Sequence, residues 1–299
     1  MSNDIPAVSV IIPVYNAAEF LKDGLNSLLK QTLREIEIIC VDDGSTDGSL
    51  VILKEFEKAD ARIRVIHQEN QGAGAARNNG MDVARGKYLA FLDADDIWES
   101  DYLECQKKLI GTYPDAGIYS TAFYSLEKRK RKLRNVLINE HIHFLVHDYF
   151  KESVMNGLSI CWTSSLCLKK EVIKEIPMFR VGIKRGEDLD LWLRIALNYD
   201  VAYLNLPKVF YRTGLSDSLT SDYSKNGEFP YYEWFNFTSE SSYYRKYVIL
   251  VVYIHAKNAF IHHDYDTCLA ELWSVKTIAW RFKWAERLLL LVISWIKSK

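Results

Sequence analysis

The sequence predicts an α/β protein with a mainly parallel central sheet that helices cover on both faces. Short β-branched, apolar runs alternate with longer segments in which apolar residues recur at helical spacing. The predicted strands are apolar on both faces, which is typical of parallel strands between two helical layers. Strands are predicted at 8–14, 36–41, 63–67 and 87–92, and helices at 19–31, 50–59, 72–84 and 187–199.

The composition changes along the chain and divides it into two regions. We predict an α/β domain over 1–229 and a separate helical, aromatic region over 230–299. The regular alternation of strands and helices occupies 1–98, whereas 99–229 is less regular. Its last part, 213–229, is rich in Gly, Ser and Asp and predicts a long loop. Loops of this length are frequently lids, and a flexible connector is the alternative.

A basic run lies within the less regular half. Two strands, at 118–126 and 136–139, are expected to lie on either side of Lys128–Arg134. The run KRKRK could meet anionic lipid or a phosphate-bearing acceptor. Charge runs are more often solvated hairpin tips, and we prefer that interpretation.

Charge and cysteine content exclude several function classes. Lys and Arg total 38 and Asp and Glu total 39, so a net charge of −1 gives no global attraction to nucleic acid. Five cysteines without a CxxC pair argue against a disulfide framework or a zinc site. The N-terminal residues lack the basic and long apolar segments of a signal peptide. We therefore expect a cytoplasmic protein.

The first acidic cluster is Asp42 and Asp43, where the second predicted strand meets a Gly/Ser turn in VDDGSTDGS. Carboxylates at this edge of a parallel sheet would face a ligand. The alternative is turn and N-cap chemistry, because Asp and Ser side chains satisfy exposed N–H groups at helix starts. We prefer ligand binding for the pair and the capping interpretation for Asp47.

The second acidic cluster is FLDADD, where an apolar strand runs directly into Asp93, Asp95 and Asp96. Clustered carboxylates repel one another and become favourable when a cation neutralises them. One or two carboxylates with a diphosphate are the usual ligands of Mg²⁺ or Mn²⁺. Asp96 could instead cap the following helix. The pattern therefore indicates a metal site at Asp93 and Asp95.

The third acidic cluster is GEDLDLW, in which Glu187 and Asp188 open an amphipathic helix after a glycine. Acids at a helix start are stabilised by the macrodipole, so a purely structural role is the alternative. The functional interpretation makes Asp188 a general base that takes a proton from a hydroxyl.

Two competing nucleotide-binding motifs fail on inspection. The stretch from Gly72 has Arg77 where a dinucleotide fingerprint needs its third Gly. The stretch from Gly80 to Lys87 has one residue too many for a P-loop and lacks the final Ser or Thr. We expect this Gly- and Ala-rich segment to allow close approach of a ligand, with Arg77 contacting phosphate. Arg77 could equally be a surface residue.

Taken together, the motifs resemble the inverting GT-A glycosyltransferases of family 2, of the type that builds bacterial cell-surface polysaccharides. The motifs that carry the resemblance are VSVIIPVYNAAEFL, IEIICVDDGSTDGS, NQGAGAARNNGMDVARGKYLAFLDADD and GEDLDLWLR, in this order. It covers 8–98 tightly and 160–212 more loosely. The resemblance implies a Rossmann-like GT-A domain, a UDP-sugar or related donor, and Mg²⁺ or Mn²⁺ at the acidic strand end.

The resemblance also implies donor-binding residues. Those expected to frame the nucleoside or contact the base follow the first two strands: Pro13, Tyr15, Glu19, Asp42 and Asp43.

The DXD motif of the family matches Asp93-Ala94-Asp95, with Asp95 as direct metal ligand and Asp93 also facing the donor. Asp188 matches the family's base, while Glu187 and Arg212 are expected on the acceptor side. The acceptor hydroxyl would attack opposite the diphosphate and invert the anomeric configuration.

The chain departs from the processive members of the family, because it has no QxxRW motif after the acidic pair. A single addition to an oligosaccharide or lipid-linked acceptor is therefore expected. The segment 280–299 mixes Trp with Arg and Lys around nine uncharged residues, too few for the ~20 that span a bilayer. It predicts an in-plane helix on the inner face of the cell membrane. A helix packed on protein is the alternative.

The sequence leaves two other functions as alternatives. A sugar nucleotidyltransferase has a similar sheet and metal use, but it usually has a Gly-rich, Arg- or Lys-bearing loop after the first strand, where this chain has YNAAEFL. A catalytically silent nucleotide-sugar binding protein is the other, and the presence of Asp93, Asp95 and Asp188 together argues against it.

Overall fold

The computed structural model describes residues 5–127, 130–157, 159–183, 185–214 and 238–261, with residues 264 and 268. The strands are β1 (Val8–Val14), β2 (Ile36–Asp43), β3 (Ile63–Gln68), β4 (Tyr88–Phe91), β5 (Ile97–Trp98), β6 (Ile118–Glu127), β7 (Lys130–Arg134), β8 (His143–Val146), β9 (Leu166–Lys169) and β10 (Val201–Arg212). The helices are α1 (Leu21–Leu29), α2 (Ser49–Ala59), α3 (Ala73–Val83), α4 (Tyr102–Thr112), α5 (Tyr149–Asn156), α6 (Val172–Glu175), α7 (Glu187–Ala196) and α8 (Tyr244–Ile261), and a 3-10 turn spans Thr163–Ser165.

All ten strands belong to one mixed sheet, which confirms the predicted α/β class. Its main order is β3-β2-β1-β4-β9-β6-β10-β5, with β7 beside β6 and β8 beside β10. The first four strands are parallel, and β9 is antiparallel to both β4 and β6. Because two reversals restore the direction, the carboxyl ends of β1, β2, β4, β6 and β10 share one edge.

The core forms where apolar strands meet the buried faces of the helices. Every β1 residue except Pro13 is buried, and α1 contributes Leu21, Leu25 and Leu28 to the same cluster. On α3, a methyl group added at Gly80 would come within 2.6 Å of Ile11 Cγ2. At Gly80 the missing side chain therefore lets α3 pack closely on β1, whereas the sequence had suggested close approach of a ligand.

The predicted strand at 136–139 is wrong, and the basic run itself forms the strand. β7 pairs antiparallel with β6, and all five of its side chains are exposed. Lys and Arg suit an edge strand because their charge discourages further strand pairing. The side-chain amide of Asn205 bonds the backbone N–H and C=O of Leu137 at 2.9 and 2.8 Å, so a side chain stands where a ladder would continue.

The chain divides into two compact units, Met1–Tyr149 with Ile160–Leu215 and Phe150–Ser159 with Ser216–Lys299. The predicted domain boundary near 229, most of the loop 213–229, and the segment 280–299 lie outside the described residues. In the second unit, Phe150 packs edge-on against Tyr244 of α8, with ring centroids 4.8 Å apart. Among the residues described, no helix is long and apolar enough to cross a membrane.

Candidate active site

The loops that follow β1 and β2 are joined by side-chain hydrogen bonds. Asn16 adopts a positive φ of 48°, and its side-chain oxygen accepts the N–H of Thr46 at 2.8 Å. Asp47 accepts the N–H of Ser49, the first residue of α2, at 2.8 Å and that of Ala18 at 3.0 Å. Asp47 therefore makes the turn bond expected at a helix start, although the N-cap position itself is Gly48, and the two loops form one rim.

The residues expected to frame the nucleoside lie along this rim. Pro13 is half-buried in β1, whereas Tyr15 and Glu19 are exposed just beyond the strand. The β1–β2 register pairs Val14 with Asp42, so Pro13 and Tyr15, on either side of Val14, lie next to the strand end that carries the first acidic cluster. Their contact with a nucleoside remains a prediction.

Asp43 organises the turn before α3. One of its oxygens accepts the side-chain amide of Gln68 at 2.7 Å and the N–H of Gln71 at 2.9 Å. The other accepts the N–H of Gly72 at 2.9 Å, where a φ of 90° favours glycine. Three internal bonds hold this carboxylate, so any contact with a base must use its remaining lone pairs.

Asp42 is fully buried beside the exposed side chain of His67. One carboxylate oxygen lies 2.7 Å from His67 Nδ1, and the other has no hydrogen-bond partner in the part of the chain that is described. A buried polar atom without a partner is costly.

The second acidic cluster follows β4 and is electrostatically crowded. Burial and the negative charge of Asp93 raise the pKa of Asp95 to about 6. Burial and the charges of Asp95 and Asp93 raise the pKa of Asp96 well above its ordinary value. Asp96 accepts the N–H of Arg212 at 3.0 Å, and α4 begins only at Tyr102, so the alternative that Asp96 caps a helix is wrong.

A divalent cation fits this crowding, although the protein alone offers few ligands. The described residues contain no group of three or more His, Cys, Asp or Glu arranged to hold a metal. Asp93 and Asp95 are half-buried, and the negative charge of Asp93 contributes to the raised pKa of Asp95. Mg²⁺ and Mn²⁺ are commonly held by one or two carboxylates together with substrate phosphates, so the pair suits a cation that arrives with a diphosphate.

Arg77 links the second acidic cluster to the third. Its guanidinium contacts Asp93 at 2.8 Å and Glu187 at 2.7 Å, and its side chain is only 6% exposed. Burial alone would lower the pKa of Arg77, but the charges of Asp93, Glu187 and Asp188 raise it. The surface alternative for Arg77 is therefore wrong, and its contact with phosphate stays a prediction.

The third cluster opens α7 directly after Gly186, whose φ of 75° lies in the left-handed region. Burial and the charge of Asp188 raise the pKa of Glu187 to about 6, against the opposing effect of Arg77. Asp188 is half-buried and accepts the hydroxyl of Thr163 at 2.9 Å. The helix start thus carries one carboxylate bound to Arg77 and a second held by a threonine.

The 3-10 turn at Thr163–Ser165 is a site element that sequence reasoning missed. Thr163 donates to Asp188, while the Ser164 hydroxyl accepts the N–H of Asp93 at 3.1 Å. Trp98 anchors the turn by donating its indole N–H to the Ser164 carbonyl at 2.7 Å. Consecutive residues therefore touch both acidic clusters. The segment CWTSSLC matches no motif, and only its position before β9 brings it here.

Arg212 ends β10 on the other side of the second cluster. Its guanidinium pairs with Asp23 and lies over the Phe20 ring, 5.2 Å from the centroid. The neighbouring Tyr211 packs against Trp162, with ring centroids 5.3 Å apart. A half-buried aromatic wall therefore adjoins both Thr163 and Arg212, and the role of Arg212 toward an acceptor stays a prediction.

Comparison with known proteins assigns the class. The sequence profile of Glycosyl transferase family 2 matches residues 9–176. TuaG of Bacillus subtilis, provisionally named a teichuronic acid biosynthesis glycosyltransferase, is 35% identical over 204 residues, which cover 68% of this chain and 77% of TuaG. Several other curated relatives are longer, and the match spans about a third of their length.

Solved structures agree with the fold. TarS residues 1–349 of Staphylococcus aureus, in complex with UDP-GlcNAc, gives a TM-score of 0.70 at 19% identity and covers 89% of this chain and 79% of its own. The mannosyltransferase PcManGT of Pyrobaculum calidifontis, in complex with GDP-Man and Mn²⁺, gives 0.60 at 17% identity, covering 97% and 81%.

The chain belongs to glycosyltransferase family 2. It is a glycosyltransferase with a GT-A type fold, and its homologues include a protein named for polysaccharide biosynthesis.

Proposed function

We propose that this glycosyltransferase is metal-dependent and inverting, and that it moves a sugar from a UDP-sugar to a hydroxyl of an oligosaccharide or lipid-linked acceptor in cell-surface polysaccharide synthesis. One observation carries the proposal: Arg77 contacts both Asp93 and Glu187, next to the turn that touches Asp93 and Asp188. The UDP-GlcNAc and the Mn²⁺ in the names of the similar structures support the donor and the metal.

Asp95, with Asp93 beside it, would hold Mg²⁺ or Mn²⁺. Such a cation supplies charge neutralisation for the departing diphosphate. Its charge would also relieve the repulsion that raises the pKa of Asp95. Pro13, Tyr15 and Glu19, together with Asp42 and Asp43, would bind the nucleoside, and Arg77 would lie close to the diphosphate.

Asp188 would act as the general base. Its carboxylate removes the proton of the acceptor hydroxyl as that oxygen bonds to the anomeric carbon, opposite the breaking bond to the diphosphate. One displacement inverts the configuration and needs no covalent enzyme intermediate. The hydrogen bond from Thr163 holds the base in place, and the aromatic wall beside it would flank the acceptor.

Two substitutions test these roles separately. Asp188→Asn is expected to lower transfer about a hundredfold to ten-thousandfold, the usual effect of losing a general base, with little change in donor affinity. Asp95→Asn should instead weaken donor binding in Mn²⁺ and leave the weak binding in chelator unchanged. Titration calorimetry and a transfer assay measure both. Wild-type turnover in Asp188→Asn would refute the base assignment.

A panel of nucleotide-sugars with Mn²⁺, read by thermal shift and donor hydrolysis, identifies the donor. A sugar nucleotidyltransferase would instead make a nucleotide-sugar and release pyrophosphate. A silent binding protein would be stabilised by a donor without cleaving it.

We also propose that the chain works at the inner face of the cell membrane, with 280–299 in contact with lipid. A chain ending at residue 280 should then sediment less with membranes than the full chain does. Undiminished sedimentation with membranes would contradict that contact.

A further inference from the structure

An exposed, positively charged strand lies next to the active-site edge of the sheet. β7 presents Lys130, Arg131, Lys132 and Arg134 with every side chain exposed. In the part of the chain that the structure describes, none of the four forms an ion pair with an acidic residue. Glu127 is opposite Lys130 in the register, and four cations against this one acid leave the strand pair with a net positive charge.

Exposed apolar side chains lie in the same strand as these cations and in the residues that follow it. Leu133, within the strand, is 49% exposed. Ile138, four residues beyond the end of the strand at Arg134, is 97% exposed. Val136 and Ile142 are exposed in the same segment. We name residues 130–138 the basic edge. Cations beside protruding aliphatic side chains are the combination that peripheral proteins present to anionic lipid.

The strand register places the basic edge close to the second acidic cluster. Arg131 pairs with Leu126 of β6, and Leu126 pairs with Arg212 of β10. Two strand spacings separate Arg131 from Arg212, a distance of roughly 10 Å. The N–H of Arg212 in turn bonds Asp96. A surface bound along β7 would therefore lie about two strand spacings from the strand end that contacts the second acidic cluster.

We propose that the basic edge binds the anionic surface of a membrane and so brings the active site to a lipid-linked acceptor. The part that concerns the acceptor rests on the proposed function. The net charge of −1 means that attraction to anionic lipid must come from a local patch such as this one. Lys and Arg on an edge strand also prevent strand pairing, and that role alone would not require affinity for lipid.

Sedimentation of the full chain with vesicles tests the proposal. The vesicles contain phosphatidylcholine alone or phosphatidylcholine with phosphatidylglycerol. Lys130→Gln/Lys132→Gln should weaken binding to the anionic vesicles about 25-fold, since each cation near such a surface contributes roughly fivefold. High salt should remove the difference by screening. The matched control is Lys107→Gln/Lys108→Gln, which neutralises two exposed lysines on α4 and should bind as the wild type does.

A second variant keeps the test independent of the strand. Ile138→Asp changes an exposed residue outside regular structure and should also weaken vesicle binding. Wild-type binding by both variants, or equal loss in the α4 control, would overturn the proposal. Self-association of the lysine variant with unchanged vesicle binding would assign β7 to edge protection alone. If the wild-type protein binds anionic vesicles but cleaves no donor, the proposed function is refuted and the proposal of lipid binding is unaffected.

Discussion

Replacing Arg77 with Met should destabilise the first unit, because two carboxylates would lose their cation. Breaking a buried ion pair by removing one partner costs about 3–5 kcal/mol. Glu187 is 12% exposed and takes most of this penalty, whereas Asp93 is 29% exposed and recovers part of its hydration. We therefore expect Arg77→Met to lower the free energy of unfolding by about 3 kcal/mol at about pH 8, the lower end of that range.

The loss should depend on pH in a defined direction. Burial and Asp188 already raise the pKa of Glu187 to about 6, and Arg77 opposes that rise. Without Arg77 the pKa goes higher still, so the folded variant takes up a proton more readily than the unfolded chain. The variant should be least impaired at about pH 5 and should lose stability as the pH rises through the folded pKa.

Urea unfolding at about pH 5 and about pH 8 measures the loss in free energy of unfolding. Arg77→Met/Glu187→Gln should recover much of the loss at high pH, since the uncompensated charge is gone. Arg85→Met is the matched control, because its guanidinium is 67% exposed and its pair with Glu37 should contribute less than about 1 kcal/mol. A pH-independent loss, or no recovery in the double variant, would refute the reasoning.

Two further substitutions test the turn and the core. Thr163→Val removes the hydroxyl that donates to Asp188. The kcat should fall at least about tenfold, the lower end of what one hydrogen bond to a charged group contributes, with donor affinity unchanged. An unchanged kcat would remove the turn from the mechanism. Gly80→Ala places a methyl group 2.6 Å from Ile11 and should cost about 1–3 kcal/mol. Gly111→Ala has nothing within 4 Å and should be neutral or stabilising in the same unfolding experiment, so equal losses would contradict the packing argument.

Local pattern predicted the first half of the sheet well. The predicted strands at 8–14, 36–41 and 63–67 differ from β1, β2 and β3 by two residues at most. Each combines β-branched residues with turn residues at its end, so the signal lies within a few neighbouring positions. The helix predicted to begin at Glu187 also begins there, because a glycine followed by acids marks a helix start.

The second half of the sheet could not be predicted in this way, because it depends on pairing between segments that are distant in the sequence. β9 enters between β4 and β6 and makes that part of the sheet mixed, which no local pattern indicates. β7 is a strand because it pairs with the free edge of β6, although the basic residues of β7 had suggested a solvated hairpin tip. Propensity is weak at an edge, where the partner strand decides.

The sequence by itself determined the fold class, the family and the identity of the three acidic clusters, because these depend on residue type and short spacing. Only the tertiary structure decided how the clusters relate. The contact between Arg77 and Glu187 joins residues 110 positions apart, and Thr163 reaches Asp188 across 25. Burial and neighbouring charge, which raise the pKa of Asp95 and Glu187, exist only once distant segments have packed together.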